Sequence, residues 1–283
     1  MLSRAGEDHA YDGGQPSVEV LEAFAPGAPQ LRCIMNVKTL AQTQLPRDTN
    51  SRSYERMSSM YEWMTALFTG GQNLVTRMSQ IEDMHPGQRV LYVGVGPGEE
   101  ALEAARRGMI VTCVDLSPGM VELVRRRFEK AGLPGEFVCA DIMQYEPEQP
   151  FDVVVANFFL NIFPRPVMEK IMTRLVALVR PGGDFVVADF GAPRGNILLR
   201  ARHRLYYAFV IVSHWIVGLA PLHPIYIYSD YYPKLGLTIQ GVRSFRLFIL
   251  GPGPWVFQST RAVKDPAAPE PNRRQTVPRR SMK

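Results

Sequence analysis

The chain has 283 residues, 46% of them hydrophobic and 21% charged. That composition is ordinary for a globular protein and excludes a disordered chain, a collagen and a coiled coil. Lys and Arg number 32 against 27 Asp and Glu, a net charge of +5, which permits an anionic partner without requiring one.

Residues 1–50 read as an N-terminal arm, partly flexible, rich in Gly, Pro and acidic residues at its start. The opening MLSRAGEDHAYDGGQ has no apolar stretch of the signal-peptide type, so no secretory signal is expected. Helices are expected over 51–84, on the lid or acceptor side. Met57, Met60, Tyr61, Met64, Leu67 and Phe68 fall on one helical face, and Gly70-Gly71 ends the run. A second helix is expected over 73–83, with Leu74, Met78 and Ile81 inward, before the break at His85-Pro86-Gly87.

Residues 85–264 then alternate strands with helices. Strands are read at 89–93 (RVLYV), 110–114, 137–140, 152–156 and 185–188, with helices at 99–107, 117–132 and 166–180 between them, the last with Val167, Ile171, Leu175 and Leu178 on one side. Ser117-Pro118 is a helix start, with Ser as cap and Pro in the first turn. Segments 237–248 and 255–260 close the pattern as an antiparallel pair around Gly251-Pro252-Gly253-Pro254. The expectation is an α/β, doubly wound, mostly parallel seven-stranded sheet. It has N-terminal helices and a helical insertion, about 196–232, before the last antiparallel pair. Residues 265–283 form a basic, Pro-rich tail that cannot build a core.

Cys33, Cys113 and Cys139 make no CxxC. They read as buried reduced thiols of a cytoplasmic protein. No metal site is expected.

The sharpest signal is VLYVGVGPGEE, a buried strand running through Gly94, Gly96 and Gly98 into a helix. Glycines there let a ligand approach the backbone, and the helix start offers unpaired N–H groups. A nicotinamide dinucleotide site wants GxGxxG, but position 99 is Glu, and Glu99 and Glu100 would face a pyrophosphate. Asp115 ends the second strand, where a carboxylate can accept both ribose hydroxyls of an adenosyl ligand. Asp141 ends the third and can accept from an adenine amino group. Leu116 and Ile142, each following its Asp, can flank the ring.

The order GVGPG, VDLS, ADI, FDVVVANFFLNIF, VRPGGDFVVADF resembles the class I S-adenosylmethionine (SAM)-dependent methyltransferases, over roughly residues 53–190. The resemblance implies a Rossmann-like methyltransferase fold and SAM as cofactor. Gly94, Gly96 and Gly98 would lie under its methionine part, Asp115 on the ribose and Asp141 on the adenine. Asn157 would line the space between cofactor and acceptor. Within the family, SYERMSSMYEWMTALFTGG is similar to the lead helix of the ubiquinone/menaquinone C-methyltransferases and the related phospholipid N-methyltransferases. Tyr61-Glu62 stands where those show Tyr-Asp.

Methyl transfer from a sulfonium is an in-line displacement with a good leaving group. Positioning therefore dominates, and can supply ~7–11 kcal/mol; a base is needed only where the acceptor must lose a proton. His214, His223 and Tyr61 are the candidate catalytic residues, with His203 behind them, and Asn161 is a polar residue placed to face the acceptor.

Residues 205–229 carry no Asp, Glu, Lys or Arg, and follow Arg200, Arg202, His203 and Arg204. The unbroken part, 205–220, would span ~24 Å as a helix, short of the ~30 Å of a bilayer core. It reads as a core helix and lid over an apolar acceptor, or as a helix lying in a membrane surface with the arginines on headgroups. Both readings favour a hydrophobic small-molecule acceptor (quinone, phenol, lipid or natural product), and the second adds peripheral rather than spanning contact with a membrane. No nucleic acid partner is expected: the basic tail favours one and the apolar segment does not. The rival function is a protein of the same fold that binds SAM for other chemistry or acts as a membrane-associated scaffold.

Overall fold

The expected alternation of strands and helices is present in a computed structural model of the chain. The model describes residues 19–22, 31–35, 69–216, 224–248 and 252–267, with only the backbone described at 19–22, 31–35, 214–216, 248 and 252. The helix expected before Gly70 lies outside the described residues. The second begins as α1 (Gln72–Met78) and tightens into a 3-10 turn at Ser79–Asp83. Ile81 is buried as the spacing predicts, but Leu74 is on the surface and Thr76 and Gln80 are inside. The change of helical pitch at Ser79 shifts which side faces the sheet.

Five strands and three helices build the parallel half. They are β3 (Arg89–Val93), α2 (Glu99–Arg106), β4 (Ile110–Asp115), α3 (Pro118–Ala131), β5 (Glu136–Ala140), β6 (Phe151–Asn157), α4 (Arg165–Leu178) and β7 (Val179–Phe190). Ser117 caps α3 by accepting from the Met120 N–H at 3.4 Å, and Gly132 closes it in the left-handed conformation. On α4, Met168 rather than Val167 is buried. The Pro181-Gly182-Gly183 turn is a break in pairing: Phe151 faces Val179, and pairing resumes at Val153 and Asp184. After α5 (Ile197–Ile216) and 3-10 turns at Tyr228–Asp230 and Tyr232–Leu235, β8 (Leu237–Phe248) and β9 (Pro252–Lys264) close the sheet.

Strands β5-β4-β3-β6-β7 are parallel, and β9 then β8 join antiparallel beyond β7. This is the seven-stranded mixed sheet of the Rossmann-like methyltransferase fold, ordered 3-2-1-4-5-7-6. Two further strands, β1 (Glu19–Glu22) and β2 (Leu31–Met35), form a hairpin that adds to β5 through β2. The described sheet therefore has nine strands, two of them in a segment whose composition suggested none.

Both faces are covered, so Val90, Leu91, Tyr92 and Val93 are all buried, where a one-sided strand would alternate. Val90, Tyr92, Cys113, Val153 and Val155 pack toward α2 and α3. Leu91, Val93, Val154 and Phe185 pack toward α4 and Tyr226, Tyr228 and Tyr232. Chain order reverses at β3, whose neighbours are β4 and β6. A crevice outside the carboxyl ends of the strands opens at such a switch point, and ligands of open α/β sheets bind there.

Candidate functional site

The loop after β3 sits at that reversal. Its three glycines all have positive φ, at 60°, 52° and 73° for Gly94, Gly96 and Gly98, a region costly to any residue with a Cβ. Their surroundings differ. A Cβ on Gly94 would overlap the Phe159 ring, and one on Gly98 would meet Val124 at 2.9 Å, while one on Gly96 would meet nothing within 4 Å. Gly94 and Gly98 are glycine because protein packs against them; Gly96 faces open space. The Gly94 N–H donates to the Val114 carbonyl at 2.9 Å, and the Arg127 guanidinium donates to the Pro97 carbonyl at 2.8 Å, so the loop is tied to β4 and α3.

Asp115 lies beside this loop at the end of β4. Its Oδ1 accepts from the Ser117 N–H at 2.8 Å. Burial pushes its carboxyl up to about 6, with the N–H groups of Ser117, Gly96 and Leu116 pulling the other way. Asp141 is two residues beyond Cys139, the partner of Asp115 across the β4–β5 ladder. The Asp141 Oδ1 accepts from the Met143 N–H at 2.9 Å, and its carbonyl accepts from the N–H groups of Gln144 and Tyr145. Both carboxylates are half-buried at the sheet edge; Leu116 is half-buried and Ile142 buried beside them. The sheet thus brings together Gly94, Gly96, Gly98, Asp115, Leu116, Asp141 and Ile142, as the spacing implied. Open space above Gly96, with the strand-end acids Asp115 and then Asp141 beyond it along the edge, fits an adenosyl group with a diol and a cationic sulfonium. In that arrangement Asp115 would hold the ribose and Asp141 the adenine amino group.

Asn157, at the end of β6, is in a different setting. Its amide pairs with that of Gln80 through two hydrogen bonds, at 2.9 and 3.0 Å. Its Oδ1 also accepts from the Ala188 N–H at 3.0 Å, and its Nδ2 donates to Glu100 at 3.4 Å. Glu100 is 3% exposed. The guanidinium of Arg77 on α1 reaches it at 2.6 Å and Glu99 at 3.2 Å. The two acids at the start of α2 thus share one cation from α1, which no local pattern in the sequence disclosed because Arg77 lies over 20 positions away. Gln80 completes the network by donating to Ser259 on β9 at 3.1 Å.

A second polar cluster lies at the carboxyl end of β7. Asp189, 4% exposed, accepts from the Tyr228 hydroxyl at 2.5 Å, from Asn161 Nδ2 at 2.8 Å and from the Phe190 N–H at 2.7 Å. Burial pushes its carboxyl up to about 7 against those three donors. Asn161, expected to face the acceptor, is buried in this cluster. Asp189 and Tyr228 are additions from the structure. The only local hint of Asp189 was an acid closing an otherwise apolar strand. Nearby, Phe158 has φ of 49°, which is strained for an aromatic residue; its ring packs edge-on against Phe190 and Phe257.

The candidate catalytic residues are described only in part. Tyr61 and His223 lie outside the described residues, and for His214 only the backbone, on α5, is described. His203 is fully buried on the inner side of α5, and burial pushes its imidazole down to about 4, with the Trp255 backbone opposing. It is neutral at physiological pH.

A methyltransferase-domain family model matches residues 90–183, from β3 to the start of β7. Over 166 residues the chain is 30% identical to a demethylmenaquinone methyltransferase of Clavibacter sepedonicus, covering 58% of this chain and 66% of that protein. It is 31% identical to a phosphatidylethanolamine N-methyltransferase of Cereibacter sphaeroides, covering 53% of this chain and 72% of that protein. The chain spans about half to two thirds of the first quinone-methylating relatives it matches. In fold it is similar to an O-methyltransferase family protein of Burkholderia thailandensis. The TM-score there is 0.56 at 16% identity, covering 78% of this chain and 62% of that one.

Proposed function

The chain belongs to the class I SAM-dependent methyltransferase family, and on that premise we propose that it methylates a hydrophobic small molecule of the quinone, phenol or lipid class. One observation carries the cofactor half of this reading: Asp115 and then Asp141 follow along the strand ends on one side of a glycine loop whose middle glycine opens on free space at the sheet's switch point. Bound there, SAM would supply an electrophilic methyl group. The protein's own work is to hold and orient. The Asp115 carboxylate takes the ribose hydroxyls, Asp141 the adenine amino group, and Leu116 and Ile142 the faces of the ring. The Arg77–Glu100–Asn157–Gln80 network fixes the start of α2 and the end of β6 on either side of the loop.

The acceptor half rests on the apolar and aromatic lining beyond β7. Phe158, Phe190, Tyr206 and Tyr207 gather there on the β7–β9 edge and the inner side of α5, the kind of surface that holds an apolar ring. The relatives named as acting on demethylmenaquinone and phosphatidylethanolamine support the same class. The buried free thiols of Cys113 and Cys139 support placing the reaction in the reducing cytoplasm. Among the described residues no helix is long and apolar enough to cross a membrane.

The test is turnover of SAM to S-adenosylhomocysteine with a reduced demethylquinone, a catechol and phosphatidylethanolamine in detergent. Methylated product from at least one, lost in Asp115→Ala, supports the reading. Turnover with none of them, by protein that binds SAM, would refute the acceptor class.

A further inference from the structure

Helix α5 has two unlike sides. His203, Tyr206, Tyr207 and Val210 turn inward, and Tyr207 packs edge-on against Phe190. On the opposite side Leu198, Leu205, Phe209 and Val212 are exposed by 66%, 74%, 57% and 43%. At the helical advance of about 100° per residue these four lie within about 60° of one another. They form a continuous apolar stripe rather than scattered surface residues. Ile197 extends the apolar surface at the helix start.

The charges that the helix itself carries beside the stripe are of one sign. Arg200, Arg202 and Arg204 are all exposed on the helix, Arg194 is exposed just before it, and the helix contains no Asp or Glu. By the same advance Arg202 and Arg204 fall on opposite sides of the stripe. Long arginine stems can run alongside apolar matter while their heads reach phosphate. A second copy of the chain is a poor occupant, because a two-fold contact through this stripe would bring the arginines against their own copies. A surface that is apolar inside and anionic outside satisfies both features.

We propose that α5 docks the protein on an anionic lipid surface, its stripe among the acyl chains and its arginines on lipid phosphates. The helix follows directly from the carboxyl end of β7. The docked helix therefore adjoins, through its inner side, the sheet edge where the acceptor lining gathers, and an apolar acceptor could enter from the lipid past the helix. The docking surface itself stands on the geometry of α5 and does not depend on methyl transfer.

The test is co-sedimentation of the full chain with phosphatidylcholine vesicles, with and without about a third phosphatidylglycerol. Sedimentation with the anionic vesicles and little with the neutral ones is expected. Arg202→Gln with Arg204→Gln should weaken it roughly 25-fold, at about fivefold per arginine. Leu205→Ser with Phe209→Ser should weaken it at least about tenfold through lost apolar burial. These positions are exposed, and only variants that keep a cooperative thermal transition and parent-like SAM affinity enter the vesicle comparison. A chain with Arg273, Arg274, Arg279 and Arg280 changed to Gln should still bind. Failure of the folded parent to bind anionic vesicles overturns the proposal, as does normal binding by either α5 variant. Release by the tail variant alone overturns it too. So does a dimer that Phe209→Ser splits without any vesicle binding.

Discussion

Gly94 and Gly96 are two residues apart in one loop, yet alanine at each should fail in a different way. Both have positive φ, so either substitution carries a backbone cost of roughly 1–2 kcal/mol. At Gly96 that is the whole structural effect, since the new methyl meets nothing within 4 Å. At Gly94 the methyl overlaps Phe159, whose ring is held edge-on by Phe163 at 5.3 Å. Moving a packed ring adds about 1–3 kcal/mol. Gly94→Ala should therefore lose roughly 2–5 kcal/mol and Gly96→Ala roughly 1–2. At about 2–4 °C per kcal/mol for a domain of this size, the thermal midpoints should separate clearly. SAM affinity should rank the other way for Gly96→Ala. Its methyl points into the space assigned to the ligand, so binding should fall at least about tenfold despite the small stability loss. Calorimetric melting and isothermal titration on the two variants measure both quantities. Parent-like SAM affinity in Gly96→Ala would refute the placement of the ligand. An unchanged midpoint in Gly94→Ala would refute the packing argument.

Other perturbations probe the rest of the site. Asp115 should be charged to bind a diol, and its carboxyl titrates at about 6. SAM affinity should rise with pH through 6 and be about tenfold weaker at pH 5 than on the plateau. Asp115→Asn should bind weakly, about 10–100-fold down, with no pH dependence over that range; a sloping profile in the variant would assign the titration elsewhere. Arg77→Met leaves Glu100 buried without its cation and should destabilise by about 3–5 kcal/mol, most of it recovered in the double variant with Glu100→Gln. Absence of that recovery in urea melts would show that Arg77 acts through something other than Glu100. The Asp189 carboxyl has a native pKa of about 7 against an ordinary 3.8. The native state thus holds its proton more tightly, and its contribution is full below about pH 4 and lost as pH rises through 7. The parent should lose up to about 4 kcal/mol across that window from this group, and Asp189→Asn should flatten the profile except for the smaller slope left by Asp115. Parallel profiles in urea melts at pH 5 and 8 would contradict the assignment.

The parallel half of the sheet was legible because its determinants are local. Apolar runs such as RVLYV end at glycine, Ser117-Pro118 starts a helix, and the glycine loop lies between a strand and a helix. The placement of the residues proposed to hold the cofactor was legible for the same reason. Glycines and acids placed at strand ends are brought to one edge by parallel winding. What stayed hidden depends on contacts between distant segments. Arg77 meets Glu100 across 23 positions, Gln80 meets Asn157 across 77, and Tyr228 meets Asp189 across 39. No period or motif reports such pairs. Leu74 and Val167 were misplaced because a short helix near a pitch change or a terminus does not keep its inward face. The hairpin of β1 and β2 was missed because acidic and proline-flanked residues mask two very short strands.

The central claim is that the carboxyl edge around Gly94–Gly98, Asp115 and Asp141 holds an adenosyl sulfonium. Isothermal titration of SAM into the folded, full-length chain tests it most directly. The expected result is saturable binding at one site, displaced by S-adenosylhomocysteine and abolished in Asp115→Ala while that variant still melts cooperatively. Absence of binding by correctly folded parent protein, or preference for a nicotinamide dinucleotide at the same edge, would contradict it.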